Sequence, residues 1–462
     1  MNRYIPFPEL QRRTPASVEE LSELLRQAAA SSTPVYPIGG GTALGYGGLP
    51  TKPGWGLSLQ GLRRVVDYPA RDLTITVEAG LTAAELQALL AQQGQRWPVD
   101  TPQPNRATVG GLVACNLSGP RRYAWGRLSD YVLGLTAVDG QGMVFSAGAR
   151  VVKNAAGYNL CRLLAGSLGT LAVIAQVTLM VKPLPETTAF VVGDLEDWDA
   201  ADRLLSSLGE VRVLPTAVEL LAGPAWADDP WLGRIKPTAK ARLAIGWEGS
   251  AKEVAWQIEQ VVSAWQTEGV RGVQTLPDSD AQKVWRRLTE FSVPPSVEDV
   301  LANGLPPGPG RLASPCPDDP RENGISEVAE KWLPQQADGG GEGDGFLVVQ
   351  ASVLPSRVLP LMARWLQMDR QVSILAHAAS GGLVGYFPLG TMEAVRWVRE
   401  WIFPSIVAQE GAGQVLFLPS GVVLGPEDLW TPSPGQDRLV QAIKQRFDPQ
   451  GILNPGRLGL GV

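Results

Sequence analysis

Apolar and polar positions change period several times along the chain, and each change marks an element. Val18, Leu21, Leu24, Leu25 and Ala28 recur at helical spacing behind Ser17 and Glu20, which stand three apart as in a capping box. A short apolar run, Val35–Ile38, predicts a strand, and so do residues 57–59 and 74–77, the latter bounded by Asp72 and Gly80. Thr82 and Glu85 open a second helix that carries Leu86, Leu89 and Leu90, and Gly94 stops it. Residues 102–126 are rich in glycine and poor in strand signal. Strands then follow over 131–138 and 143–146 across an Asp139-Gly140 turn, with a short helix or turn at 162–164 and a long apolar strand at 171–181.

The character changes beyond Pro183 and Pro185, which predicts a domain boundary. Residues 241–248 read as a strand, and Ser250 with Glu253 caps a helix bearing Val254, Ile258, Val261 and Trp265 on one face. Residues 291–345 are rich in Pro, Gly and acidic residues without core periodicity, so they are expected to form a mobile insertion. Alternation resumes with strands at 346–353, 372–376, 383–387 and 415–418 and helices at 359–366 and 394–403. That order suits an antiparallel sheet with helices on one face. A last helix over 437–447 ends at Asp448-Pro449. The expected domains are 1–185, then 186–434 containing the insertion, then 435–462.

Composition narrows the class. The chain has 462 residues, enough for two or three domains, and its 44% hydrophobic and 19% charged residues are those of an ordinary globular protein. A net charge of −6 offers no basic stripe for a nucleic-acid partner. No apolar run is long enough to span a bilayer and no signal sequence is evident, which predicts a cytoplasmic location, or one peripheral to a membrane through partner subunits. Cys115, Cys161 and Cys316 lack ligand-like spacing, and His377 is the single histidine, so no metal site is expected. Demanding redox chemistry would need a bound cofactor.

The clearest candidate for holding one is Gly39-Gly40-Gly41-Thr42-Ala43, directly after the strand Val35–Ile38. Glycines let backbone amides converge into a nest that binds phosphate oxygens, and Thr42 adds a hydroxyl. The loop is neither a Walker A sequence nor G-x-G-x-x-G, and by itself it reads equally as a turn.

Four segments, taken in order, resemble the FAD-binding family of vanillyl-alcohol-oxidase type. They are Gly39-Gly40-Gly41-Thr42, residues 107–116 (ATVGGLVACN), Arg122-Tyr123-Ala124-Trp125-Gly126 with Asp130, and residues 448–457 (DPQGILNPGR). Residues 152–163 and 166–171 are similar to the FAD-binding (E-type) subunits of glycolate oxidase, and Leu168 stands where the catalytic D-type subunits usually carry Glu. The resemblance implies an α+β fold: a two-subdomain FAD-binding domain of PCMH type with an antiparallel-sheet cap domain. It implies that Gly39, Gly40, Gly41, Thr42 and Ala43 hold one side of the FAD pyrophosphate and Thr108, Gly110 and Gly111 the other. Asn116 would lie toward the flavin, Val173 and Ile174 would offer backbone groups, and Asn454 and Arg457 would return the C-terminus to the cofactor.

FAD is expected to be non-covalent, since no His or Cys precedes Gly111. The candidate catalytic residues are His377, Arg286 and Arg287. The family's substrate arginine falls at Leu288 here, and around His377 the family's second histidine and acidic residue are missing. Three readings follow. The first is an FAD-binding subunit of a 2-hydroxy-acid (glycolate) dehydrogenase working with flavoprotein and iron–sulfur partner subunits. The others are a self-sufficient D-2-hydroxy-acid dehydrogenase and a non-catalytic FAD-containing scaffold.

Overall fold

The computed structural model describes residues 10–47, 52–148, 159–209, 212–291, 344–390, 393–418, 422, 424–425, 428–431 and 437–457. The chain forms two compact units, Met1–Pro185 with Val423–Val462, and Glu186–Val422. Nearly all of the segment expected to be a mobile insertion lies outside the described residues, as do residues 152–158.

Among the described residues the first unit contains two larger sheets and a short antiparallel pairing of Gln95–Arg96 with Lys182–Pro183. A small parallel sheet places Trp55–Ser58 between Gln11–Arg13 and Val35–Ile38. A five-stranded antiparallel sheet runs in the order Val65–Asp67, Thr74–Glu78, Ala172–Met180, Val132–Asp139, Val144–Gly148. One core joins Leu21 and Leu25 of the helix Val18–Ala30 to Val35, Leu57, Val138 and Val173. The apolar stripe read from the sequence is the face that buries there.

Local capping follows the sequence with one difference. Thr82 and Glu85 form a reciprocal capping box at the start of Ala83–Ala91. At Ser17 only half of the box exists. The Ser17 hydroxyl accepts from the Glu20 amide, but the Glu20 carboxylate takes the amide of Ala16 instead of that of Ser17. The glycine-rich stretch also holds a helix, Val109–Cys115, which the pattern did not predict. Gly110 and Gly111 are poor helix formers, and the turn is held by tertiary bonds: Val109 and Gly110 donate to the carbonyls of Leu81 and Ala79, each at 2.8 Å.

The C-terminal helix Asp437–Phe447 is followed by a chain segment that re-enters this unit. Ile452 and Leu453 are buried in the same core as Val35. The Val35 amide donates to Ile452 and its carbonyl accepts from Asn454, both at 2.8 Å.

The second unit is built on an eight-stranded antiparallel sheet. Its order is Arg271–Leu276, Thr187–Leu195, Ala241–Gly249, Ala217–Ala222, Ser373–His377, Gly382–Gly390, Asp344–Ser352, Ala412–Phe417. The strands Thr187–Leu195 and Ala217–Ala222 lacked a sequence signal because they are buried on both faces and show no alternation. The helix expected over 394–403 is three pieces: Ala394–Trp397, a wide π turn Val398–Ile402, and Phe403–Val407. Pro404 has no amide to donate back into the preceding turn, which accounts for the break in regular bonding.

Candidate cofactor site

A cleft lies within the first unit, all of its lining residues coming from that unit. One wall is the loop after Val35–Ile38, from Gly39 to Leu44; the facing wall is Thr108, Gly110 and Gly111. Val173 and Ile174 contribute from the long central strand, Leu168 and Gly169 from the turn before it, and Asn454 and Arg457 from the C-terminal segment. The structure therefore brings together twelve of the thirteen residues expected to bind cofactor. Asn116 is the exception and does not line the cleft. It ends the helix Val109–Cys115 in a left-handed conformation (φ 48°), and its carboxamide oxygen accepts from the Ser129 amide at 3.1 Å.

The two glycine walls work differently. Among the described residues, the amides of Gly40, Gly41, Thr42, Ala43 and Leu44 donate no hydrogen bond. Successive amides left open in a concave loop are what an anionic oxygen requires. Opposite them, the amides of Val109 and Gly110 are spent on Leu81 and Ala79, and the Gly111 amide is capped by the Thr108 hydroxyl at 3.3 Å. That wall supplies close approach and few donors. A Cβ on Gly40 would stand 1.6 Å from the Arg106 carbonyl oxygen, and one on Gly39 would stand 2.2 Å from the Thr108 hydroxyl oxygen. The glycines are therefore demanded by packing between the walls as well as by ligand access.

Among the described residues that line the cleft, Arg457 is the one that is charged. It is 7% exposed and its guanidinium donates to the carbonyls of Leu44 (2.5 Å) and Ala43 (2.9 Å). By holding those carbonyls, it fixes the turn in which the preceding amides are open, and it adds positive potential where a diphosphate would lie. Asn454 donates from its side chain to the Leu168 carbonyl at 2.7 Å. Leu168 (φ 52°) and Gly169 (φ 69°) are both left-handed, which turns their backbone along the cleft. The Gly166-x-x-Gly169 spacing before an apolar strand is the signal in the sequence for this turn.

Cys115 also lines the cleft. Burial pushes its thiol up to about 11, against a smaller opposing pull from Arg457. The residue is held as a neutral thiol at ordinary pH.

The catalytic candidates all lie in the second unit, and each has a distinct setting. His377 and Glu219 are cross-strand neighbours, both buried, with Nδ1 of the imidazole 2.6 Å from a Glu219 oxygen. Arg287 is buried and pairs with Asp229 at 2.9 Å, donates to the Ala225 carbonyl and stacks 4.2 Å over Trp226. Burial pulls its pKa down and Asp229 pulls it up. Arg287 is thus committed to packing that helix on its own unit. Arg286, one position earlier on the same helix, is exposed. Neither arginine has the setting of a buried guanidinium reserved for a carboxylate, because the helix turns Leu288 and Arg287 inward together.

Comparison with known proteins fits this geometry. Residues 11–148 match the FAD binding domain, and residues 432–458 match the C-terminal domain of FAD linked oxidases. The chain is 26% identical over 450 residues to glycolate oxidase subunit GlcD of Bacillus subtilis, covering 96% of this chain and 87% of that one. It is 28% identical over 454 residues to a D-lactate dehydrogenase of Archaeoglobus fulgidus, covering 96% and 90%. Over 235 residues it is 36% identical to glycolate oxidase subunit GlcE of Escherichia coli, covering 51% of this chain and 62% of that one. In fold it is similar to alkyldihydroxyacetonephosphate synthase, with a TM-score of 0.66 at 15% identity over 96% of this chain and 75% of the other.

Proposed function

Because the chain carries the FAD binding domain and the C-terminal domain of FAD linked oxidases, we propose that it is the FAD-binding subunit of a 2-hydroxy-acid dehydrogenase complex oxidising glycolate. The carrying observation is the run of open amides from Gly40 to Leu44 facing Thr108 and Gly111, held by Arg457. FAD, when bound, supplies the hydride acceptor for oxidation at the hydroxy-acid carbon and passes electrons onward. The residues of this chain hold the dinucleotide: the loop amides take the diphosphate and the Thr42 hydroxyl adds a donor. The Val109–Cys115 helix supplies the close wall.

Electrons leave through a partner iron–sulfur subunit in this reading, since three cysteines without ligand spacing cannot hold a cluster here. Attachment of FAD is non-covalent. No His or Cys precedes Gly111, and the Cys115 thiol, with its pKa raised to about 11, is a poor nucleophile. The buried pairing of Arg287 with Asp229 favours the subunit reading, because it commits to packing the buried one of the two candidate arginines. A second reading, a self-sufficient D-2-hydroxy-acid dehydrogenase using His377 as base, is favoured by the D-lactate dehydrogenase likeness along 96% of the chain.

The test is the visible spectrum of the purified chain under anaerobic conditions, before and after glycolate or D-lactate. Bound flavin that stays oxidised alone and bleaches only with partner subunits supports the first reading. Bleaching by the isolated chain selects the second, and a chain without affinity for FAD overturns both.

A further inference from the structure

Lys444 sits on the last helix, 3% exposed, with an ammonium whose three protons each have an acceptor. Nζ donates to the Asp448 carboxylate at 2.6 Å, the Thr170 carbonyl at 2.7 Å and the Leu453 carbonyl at 2.8 Å. Asp448 is equally saturated. Its two oxygens also accept the amides of Ile452 (3.1 Å) and Leu453 (2.8 Å).

These partners are not distributed at random over the unit. Thr170 directly follows Leu168 and Gly169, which line the cleft, and Leu453 directly precedes Asn454, which also lines it. The Asn454 side chain returns to the Leu168 carbonyl, closing a ring of bonds between the turn 168–170 and the segment 453–457. Arg457, three residues further on, holds Ala43 and Leu44. A single buried ammonium thus fixes the spacing between the turn 168–170, which lines the cleft, and the segment that grips the glycine loop. A neutral residue of the same length would take this donor from two buried backbone carbonyls and leave the buried Asp448 carboxylate without its counter-charge.

We propose that Lys444, with Asp448, is a positioning residue for FAD: the pair docks the C-terminal segment so that Asn454 holds the Leu168 turn and Arg457 the glycine loop in their binding geometry. The inference rests on the FAD reading above. Lys444 does not itself line the cleft, and it acts through Thr170, Leu453 and Asp448.

The experiment titrates FAD into the full-length apoprotein and follows quenching of flavin fluorescence, with visible circular dichroism of the bound flavin and an apoprotein melt alongside. The variants are Lys444→Met, Asp448→Asn and, as a stability comparator in the other unit, Val254→Ala. Wild type should bind, and the first two variants should bind about tenfold more weakly or worse, the scale of one lost charge-assisted hydrogen bond, with an altered flavin dichroism. Val254→Ala should lower the melt and leave the FAD titration unchanged. Should Lys444→Met not fold, Asp448→Asn decides. Wild-type affinity and dichroism in Asp448→Asn and in any folded Lys444→Met would overturn the proposal, as would an equal loss of affinity in Val254→Ala. A wild type that does not take up FAD would sink the cofactor reading itself, which is a different result.

Discussion

The guanidinium of Arg457 holds the carbonyl of Leu44, 413 positions earlier in the chain, and through it the shape of the glycine loop. The planar fork reaches Leu44 from one nitrogen and Ala43 from the other, a spread of donors that the point-like ammonium of a shorter lysine does not reproduce at this position. Arg457→Lys should therefore weaken FAD binding by about tenfold, and Arg457→Met by more. Equilibrium dialysis with FAD checks this; equal affinity in all three proteins would show that the loop holds its own shape.

Gly40 offers a sharper test of the cleft. Its missing Cβ is replaced by the Arg106 carbonyl oxygen, so Gly40→Ala must push the two walls apart. The expected cost is about 1–3 kcal/mol of stability, with loss of FAD retention on gel filtration. Gly94→Ala has open space for its Cβ, and though its φ of 63° carries a strain cost, it should leave FAD retention intact.

The thiol of Cys115 should be inert. With a pKa raised to about 11 by burial, it is protonated throughout the neutral range, and its reactive thiolate grows only as pH rises toward that value. At pH 8 the thiolate fraction is about one in a thousand, so labelling by a maleimide should be slow and should accelerate with pH. Acid precipitation should release the flavin, and Cys115→Ala should still bind FAD.

Arg287 and Asp229 form a buried ion pair, and breaking it from one side leaves a stranded charge. Arg287→Met should destabilise the second unit by about 3–5 kcal/mol in urea unfolding. The double variant Arg287→Met with Asp229→Leu should recover most of that loss. Recovery would assign the pair to packing; a double variant as unstable as the single would point to a further role for Arg287.

His377 is oriented by Glu219 on the neighbouring strand. If it serves as the base of the second reading, His377→Gln should abolish bleaching of the flavin by D-lactate while FAD stays bound. Glu219→Gln should keep FAD and shift the pH profile of bleaching. Unchanged rates in both variants would assign the pair to the sheet.

Much of the first unit was legible because its signals are local. Thr82 and Glu85 announce their helix at fixed spacing, and the stripe from Val18 to Ala28 is the buried face. What escaped is set by distant partners. Gly110 and Gly111 sit in a helix because Leu81 and Ala79 accept from the residues at its start. Ser17 lost half of its box because the Glu20 carboxylate found the Ala16 amide. In the cleft, residue type told where backbone comes close, but not which amides remain open. Nothing in the sequence near Asn116 showed that Ser129 would take its side chain. Arg287 read as a substrate group until its partner, 58 positions away, was in view.

The bridge between Val35 and Leu453 has a consequence for the order of events in the cell. A ribosome that has delivered the glycine loop still has most of the chain to make before residues 448–457 emerge. Until then the loop lacks Arg457 and the turn at Leu168 lacks Asn454. In the FAD reading, cofactor loading therefore waits until residues 448–457 have been made, and a chain stalled before them carries the five-stranded sheet without a finished cleft.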